Sequence, residues 1–195
     1  MSLSPSHALI ATLVQSIRPF DVLEEQHVGL TLDWIGAGSP LFRIQAPDIP
    51  PQHLVSYFVL VDAYHSRLLL VDHIKAGLWL PSGGHVEPEE HPAETVRREL
   101  MEELSMSASF LSPHPFFLTV TRTVGSTAGH TDVSLWYILE GNSGLELQFD
   151  ENEFHSVQWF PFDEIPYERA DPHMARFAAK LRAYLDAGDQ DMNQG

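Results

Sequence analysis

One stretch of 23 residues, 84–106, constrains this chain more than any other part of its sequence. It reads GHVEPEEHPAETVRRELMEELSM. Its second half has helical spacing, because Ala93, Val96, Leu100 and Leu104 form one apolar stripe at 100° per residue. The sequence therefore predicts a glycine loop that leads directly into an amphipathic helix, with His91 as its cap and Pro92 at its first position.

The polar face of this predicted helix carries three glutamates, Glu99, Glu102 and Glu103. Glu99 and Glu103 are four residues apart, and like charges at that spacing destabilise a helix by about 0.2–0.5 kcal/mol. The helix macrodipole also disfavours anions near the C-terminus. Two interpretations follow. The glutamates form a solvated acidic face, or a divalent cation binds among them and turns repulsion into attraction.

The spacing of the charged residues favours the second interpretation. The stretch matches G-x5-E-x7-R-E-U-x-E-E-x-G-U, where U is a bulky apolar residue. The matching positions are Gly84, Glu90, Arg98, Glu99, Leu100, Glu102, Glu103 and Met106. This pattern is the Nudix box, and the chain resembles the Nudix hydrolase family. Ser105 departs from the pattern, since the family has glycine at this helix end, where a positive φ is common.

The resemblance implies an α/β fold, the Nudix α/β/α sandwich with a mixed sheet. Strand patterns in the chain agree with that fold class. They fall at residues 53–62, 67–72, 77–81, 115–124, 131–139 and 156–160. The first two flank a short turn, which is typical of a hairpin.

Helical patterns at both ends of the chain predict additions to this core. Residues 1–50 form a predicted N-terminal helical extension. Its first helix, at 5–17, has one apolar side made of Leu9, Ile10, Leu13 and Ile17, and its second runs from Asp21 to about residue 35. Residues 51–187 form the predicted Nudix domain, which ends in a helix over residues 173–185, and 188–195 form a polar tail. The extension has two alternative roles, an interface that makes a homodimer or a lid.

The resemblance also implies a metal site. We expect the carboxylates of Glu99 and Glu103, with Glu102 beside them, to bind Mg²⁺, with Mn²⁺ as an alternative. In the family, a backbone carbonyl near Gly84 joins these ligands. Arg98 orients a glutamate of the box.

Three further positions near the box are expected to support that site rather than to bind the metal. Gly83 lets the backbone turn tightly and approach a ligand closely. Glu87 and Glu90 correspond to structural or outer-shell residues of the family. An ordinary turn is the alternative for the paired glycines.

The general base is expected downstream of the box, where the family often recruits a glutamate. Glu153 is our first choice and Glu151 the second. The alternative for this acidic segment is a solvated loop.

Five residues are candidates for substrate binding. His73 and Lys75 alternate along the chain, and they either bind phosphate oxygens or lie in a solvent-exposed turn. Trp79 either stacks on a base or belongs to the core. His130 and Asp132 share a strand face, yet two ligands do not make a metal site. For this pair we expect substrate contact or ordinary strand-entry polarity.

Composition excludes several other classes of protein. The formal net charge of −16 repels nucleic acid polymers and anionic membranes. The absence of cysteine excludes disulfides and thiol catalysis. No apolar run approaches the roughly 20 residues of a membrane helix, and no signal peptide is visible. We therefore expect a cytoplasmic enzyme with a small-molecule substrate.

The predicted function is Mg²⁺-dependent hydrolysis of a diphosphate bond in a nucleoside diphosphate linked to another moiety. One alternative is a catalytically silent Nudix domain that binds a nucleotide and regulates a partner, but the three retained glutamates argue against silence. A second alternative is an isomerase of isopentenyl diphosphate. The resembled isomerases use a cysteine, which this chain lacks.

Overall fold

The computed structural model describes residues 3–45, 49–123 and 129–192, which fold around one seven-stranded sheet. The helices are α1 (Pro5–Ser16), α2 (Val22–Gly36), α3 (Pro92–Leu104) and α4 (Met174–Met192), with a short 3₁₀ turn at Tyr167–Arg169. The strands are β1 (Gln52–Asp62), β2 (Arg67–His73), β3 (Leu78–Leu80), β4 (Ser82–His85), β5 (Phe117–Arg122), β6 (Thr131–Glu140) and β7 (Phe154–Pro161).

The sheet is mixed. Its main path runs β3-β2-β1-β6-β5, with β4 paired to β1 and β7 paired to β2. The long central strands β1 and β6 are parallel, and the other pairs are antiparallel. The predicted hairpin of β1 and β2 is confirmed, and so are the predicted strands that correspond to β5, β6 and β7.

Alternating residues of the central strands build two separate cores, one on each face of the sheet. On β6, Leu135 and Tyr137 pack with α1 and α3, whereas Trp136 and Ile138 pack with α4 on the opposite face. This period of two is what a strand buried on both faces requires. Helices therefore cover both sides, and the predicted α/β/α sandwich is confirmed.

The N-terminal helices pack against the same core as α3. Helix α1 buries Ile10, Leu13 and Val14, whereas Leu9, expected on the apolar side, is exposed. Asp21 caps α2 as expected, because its carboxylate accepts a hydrogen bond from the Glu24 amide at 2.8 Å. The first 50 residues thus contribute directly to the hydrophobic interior of the sandwich.

Two ion pairs tie α2 to α4 across the edge of the sheet. Glu24 is completely buried, and its carboxylate accepts a hydrogen bond from the Lys180 ammonium at 2.7 Å. The other Glu24 oxygen accepts the Phe20 amide at 2.7 Å. Asp21 receives both ends of the Arg176 guanidinium, at 2.5 and 2.7 Å. Buried charges of this kind are strongly coupled to their partners.

The structure differs from the sequence prediction around the glycine loop. The strand expected at 77–81 ends at Leu80, and a further strand, β4, follows where a loop was expected. In β4, Gly83 pairs with Tyr57 and Gly84 with Ser56. The two glycines act here by allowing close approach between strands, since a Cβ on Gly83 would collide with the Ser56 carbonyl.

Two other predicted segments differ from the structure in where they end or in how much of them is described. The closing helix, expected over residues 173–185, continues as α4 to Met192, past the start of the predicted polar tail. Most of the expected connection at 125–129 lies outside the described residues. None of the helices in the described ranges is long and apolar enough to cross a membrane.

Both ends of α3 follow the sequence prediction. His91 is the N-cap and accepts a hydrogen bond from the Ala93 amide at 3.1 Å, and Pro92 occupies the first turn. At the other end, Ser105 adopts the left-handed conformation, with φ of 54°. The helix thus ends as the usual glycine would end it, but with a side chain in a strained region.

Replacing Ser105 with glycine should therefore stabilise the protein. We expect Ser105→Gly to raise the free energy of unfolding by about 0.5–1 kcal/mol, because glycine adopts positive φ without steric conflict. Urea titration followed by circular dichroism measures the change. Ser105→Ala is the matched control, and equal or greater stabilisation by alanine would contradict the explanation.

Removing Lys180 should show how much the buried ion pair contributes to the free energy of unfolding. We expect Lys180→Met to lower the free energy of unfolding by about 3–5 kcal/mol, since Glu24 is left charged and buried. The double variant Glu24→Gln/Lys180→Met should recover most of this loss. Arg97→Met, which breaks an exposed pair with Glu94, is the control and should change stability by less than about 1 kcal/mol.

Candidate active site

A cleft of about 920 Å³ opens beside β4 and the polar face of α3. The glycine loop and two of the box glutamates form one wall. The ends of β5 and β6 form a second wall, and the segments that follow β2 and precede β7 complete the opening. All the candidate residues that line this cleft come from strand ends, from loops or from α3.

The structure separates the three glutamates of the box. Glu99 and Glu103 both line the cleft, and Glu103 is only 7% exposed. The Ser82 hydroxyl donates a hydrogen bond to Glu103. Glu102 does not line the cleft, because its side chain is 60% exposed and forms an ion pair with Arg98 at 3.7 Å. Two carboxylates therefore converge, and the third lies at the rim.

Arg98 holds the glycine loop and the helix together. Its guanidinium donates to both oxygens of Glu90 at 3.1 Å, and to Glu99 at 2.6 Å. A further hydrogen bond, at 3.3 Å, goes to the backbone carbonyl of His85. Glu90 also accepts the backbone amide of Glu87 at 3.1 Å. The Arg98 side chain lines the cleft and holds the Glu99 carboxylate in position.

Burial sets the electrostatics of the two converging carboxylates. Desolvation raises the pKa of Glu103 to about 8, against the hydrogen bond from Ser82 and with added repulsion from Glu99 and Glu153. Burial also raises the pKa of Glu99, despite its hydrogen bond to Arg98. Burial, with the added repulsion between the carboxylates, therefore disfavours their ionised form, and a bound cation would compensate for this.

Gly84 is required by the approach of the loop to the helix. A Cβ at this position would collide with the carboxylate of Glu99. Gly83 has φ of 148°, and its missing side chain keeps β4 against β1. Both glycines line the cleft, so the backbone itself forms the part of the wall nearest to Glu99.

The two candidates for general base lie in different places. Glu153 lines the cleft, and its charge contributes to the raised pKa values of Glu99 and Glu103. Glu151 is exposed and does not line the cleft. The structure therefore brings only Glu153 toward the carboxylates of α3.

Of the five candidates for substrate binding, four line the cleft and one does not. His73 and Lys75 line the cleft, as do His130 and Asp132. Trp79 does not, because its ring packs edge-on against Phe160 on the α4 side of the sheet. The Trp79 side chain therefore belongs to the hydrophobic core, which was the alternative interpretation.

Sequence reasoning missed four residues of this site. Ser82 binds Glu103, and Asp171 lines the cleft with a pKa raised by burial to about 6. His53 and His85 lie beside His130, with ring centroids 4.9 and 6.4 Å away. Burial lowers the pKa of His85 to about 3, so this ring is neutral. Because the three histidines come from three strands, no spacing along the chain signals their convergence.

Comparison with known proteins agrees with the fold. The model of the NUDIX domain matches residues 52–181. A MutT-like protein of Streptomyces ambofaciens is 26% identical over 132 residues, which cover 68% of this chain and 79% of the relative. The α/β/α sandwich and its box define a Nudix-type hydrolase fold. The chain belongs to the Nudix family and is a Nudix hydrolase, an enzyme that acts on phosphoric anhydride bonds.

Solved structures show the same fold at low sequence identity. A hydrolase of the NUDIX family from Clostridium perfringens superposes with a TM-score of 0.54 and 20% identity, covering 69% of this chain and 97% of its own. An Ap4A hydrolase from C. elegans superposes with a TM-score of 0.52 and 16% sequence identity, covering 68% of this chain and 98% of its own.

The raised pKa of Glu103 predicts how stability depends on pH without metal. Between about pH 4.5 and 8 the unfolded chain has released this proton while the folded protein retains it, so stability falls as pH rises. We expect Glu103→Gln to match the wild type near pH 4.5 and to exceed it by roughly 1–3 kcal/mol at pH 8.

Urea unfolding in EDTA at the two pH values measures this difference. Glu94→Gln is the control, because the Glu94 side chain is 60% exposed and lies away from the cleft. Parallel loss of stability in the wild type and Glu103→Gln between these pH values would contradict the assignment.

Proposed function

We propose that this enzyme is a Mg²⁺-dependent hydrolase, with Mn²⁺ as an alternative, of a nucleoside diphosphate linked to another moiety. The observation that carries this proposal is the pair of the half-buried Glu99 and the buried Glu103, which faces the cleft together with Glu153. A carboxylate cluster of this kind binds hard divalent cations, which require oxygen ligands.

The residues present suit such a cation. The carboxylates of Glu99 and Glu103, with the backbone carbonyl of Gly84, would supply the oxygen donors, and the exposed Glu102 would contribute from the rim. The elevated pKa of Glu103 supports this assignment, because a cation would stabilise the ionised carboxylate that burial disfavours. When bound, the ion polarises the diphosphate and lowers the pKa of a coordinated water.

Supporting residues hold these carboxylates in fixed positions. Arg98 fixes Glu99 from 2.6 Å while it binds Glu90 with two hydrogen bonds, and this arrangement resists rotation of either carboxylate. Ser82 donates to Glu103 and thereby orients the other carboxylate. Catalysis that depends on positioning requires this rigidity.

Glu153 is the proposed general base. It comes from the loop before β7, so it approaches the cleft from outside α3 and remains separate from the proposed ligands. A carboxylate in this position can take the proton of an attacking water. The exposed Glu151 has no comparable access.

The substrate is anionic, and the cleft supplies positive or hydrogen-bonding groups where the diphosphate would lie. His73 and Lys75 are proposed to contact phosphate oxygens, since both line the cleft in a protein whose net charge is −16. The Lys75 amide donates to His73 Nδ1 at 3.2 Å, which holds that ring in place. His130 and Asp132 lie on another wall of the cleft, on the side where a nucleoside or the second moiety would bind in this proposal.

Substrate identity is tested with a panel and two metals. We expect release of two phosphorylated products from nucleotide sugars, ADP-ribose or dinucleoside polyphosphates in the presence of Mg²⁺ or Mn²⁺, and none after EDTA treatment. Dinucleoside polyphosphates are included because the C. elegans neighbour is an Ap4A hydrolase. Binding of a nucleotide without turnover of any member would favour a regulatory domain instead.

Two substitutions assign roles within the proposed site. We expect Glu103→Gln to reduce kcat by at least about 100-fold at saturating Mg²⁺, because a metal-binding carboxylate is lost. We expect Glu153→Gln to reduce kcat by about 10²–10⁴-fold, because the proposed base is lost. Glu94→Gln is the control for both. Full activity of Glu103→Gln would contradict the metal assignment, and full activity of Glu153→Gln would contradict the assignment of the base.

A further inference from the structure

Three histidines and one aspartate converge at one end of the sheet, and three of these four residues line the same cleft as Glu99 and Glu103. They are His53, His85, His130 and Asp132, and we refer to them as the histidine cluster. One nitrogen or oxygen atom of each lies within 4.8 Å of the others. His53 is fully buried, and His130 and Asp132 are almost so.

The distances within the histidine cluster fit a common cation. The Asp132 Oδ1 atom lies 3.5 Å from His53 Nε2 and 3.2 Å from His130 Nε2. Neighbouring ligands of tetrahedral zinc, with bonds of about 2.0–2.1 Å, are separated by about 3.4 Å. These two pairs therefore already have the spacing of adjacent corners of a tetrahedron.

Two of the rings are oriented by hydrogen bonds on the side away from Asp132. His53 Nδ1 lies 2.9 Å from the Pro50 carbonyl, which only accepts, so Nδ1 carries the proton. His130 Nδ1 lies 3.3 Å from the Thr123 hydroxyl, which itself lies 3.2 Å from the His130 carbonyl. Both rings therefore have Nε2 near Asp132 and Nδ1 at a backbone or hydroxyl partner, the arrangement in which outer-shell partners orient metal-binding histidines.

His85 supplies the fourth corner. Its Nε2 atom is buried and has no hydrogen-bond partner among the described residues. The ring centroid lies 4.8 Å from that of His53. A buried imidazole nitrogen without a partner is unfavourable, and a shared cation would remove that penalty.

We propose that the histidine cluster is a second metal site, with three imidazoles and one carboxylate as ligands and Zn²⁺ as the cation. Imidazole ligands select zinc and similar transition metals, whereas magnesium takes oxygen ligands. Four protein ligands leave no open position, which is typical of structural zinc. This site is distinct in chemistry and in residues from the proposed magnesium site.

The position of the site gives it a structural task. His53 lies near the start of β1, His85 at the end of β4, and Asp132 near the start of β6. A cation held by all three would connect these strands at one end of the sheet. It would also anchor Gly84, because that residue precedes His85 and packs directly against Glu99.

The competing explanation is a metal-free network in which Asp132 is bracketed by His53 and His130. Such a network accounts for those two contacts but leaves the convergence of His85 without a function. Metal uptake by the purified protein distinguishes the two explanations and requires no knowledge of the enzyme's substrate.

The experiment uses untagged full-length protein, stripped of metal and dialysed against free zinc buffered in the nanomolar range. We expect one equivalent of zinc by elemental analysis, and the intense visible absorption of four-coordinate cobalt after replacement with Co²⁺. Added zinc should raise Tm of the stripped protein by about 5–10 °C when it exceeds Kd about 100-fold.

Four variants assign the uptake to the histidine cluster. We expect His130→Asn and Asp132→Asn each to weaken zinc binding by more than about 100-fold, since loss of an outer-shell partner alone weakens it by about 10–100-fold. His155→Asn, an exposed histidine on β7, should bind zinc as the wild type does. Glu103→Gln should also keep the cobalt spectrum, because it alters only the proposed magnesium site.

Each result decides the proposal. Circular dichroism confirms that the variants fold, and Asp132→Asn preserves side-chain shape if His130→Asn does not fold. Absence of zinc uptake by the wild type would overturn the proposal in favour of the metal-free network. Uptake that survives in both cluster variants, or that disappears in Glu103→Gln, would overturn the placement of the metal.

Discussion

Glu99 and Glu103 lie side by side in the wall of a cleft, and their repulsion determines what the surrounding structure must provide. Arg98 neutralises part of the charge through its 2.6 Å hydrogen bond to Glu99, and Ser82 donates to Glu103. These donors do not compensate burial, since the pKa of Glu103 is still raised to about 8. The fold thus maintains an acidic site whose own stability without a cation decreases with rising pH.

The sandwich holds this site by fixing α3 on one face and the strands beneath it. Leu100 and Leu104 of α3 pack into the same core as the N-terminal helices, so the helix cannot rotate to relieve its acidic face. The buried pair of Glu24 and Lys180 then joins α2 to α4 around the edge of the sheet. Helices α1 and α2 consequently stabilise the core that supports α3.

In the functions that we propose, the magnesium site and the zinc site lie next to each other at the end of β4. On one side, Gly84 brings its backbone against Glu99, where oxygen ligands favour magnesium. On the other, His85 turns toward His53 and His130, where imidazoles favour zinc. Gly84 would therefore contribute to the reaction, and the adjacent His85 would contribute to the stability of the sheet.

The sequence by itself determined the helix of the box, its cap at His91, the positive φ at Ser105 and most strands, because these depend on local periodicity and local backbone preference. Only the tertiary structure decided that Gly83 and Gly84 form a strand, that Glu102 faces solvent while Glu103 is buried, and that Trp79 belongs to the core. It alone brought His53 and His85 to His130, because pairing between strands joins residues that no sequence interval relates.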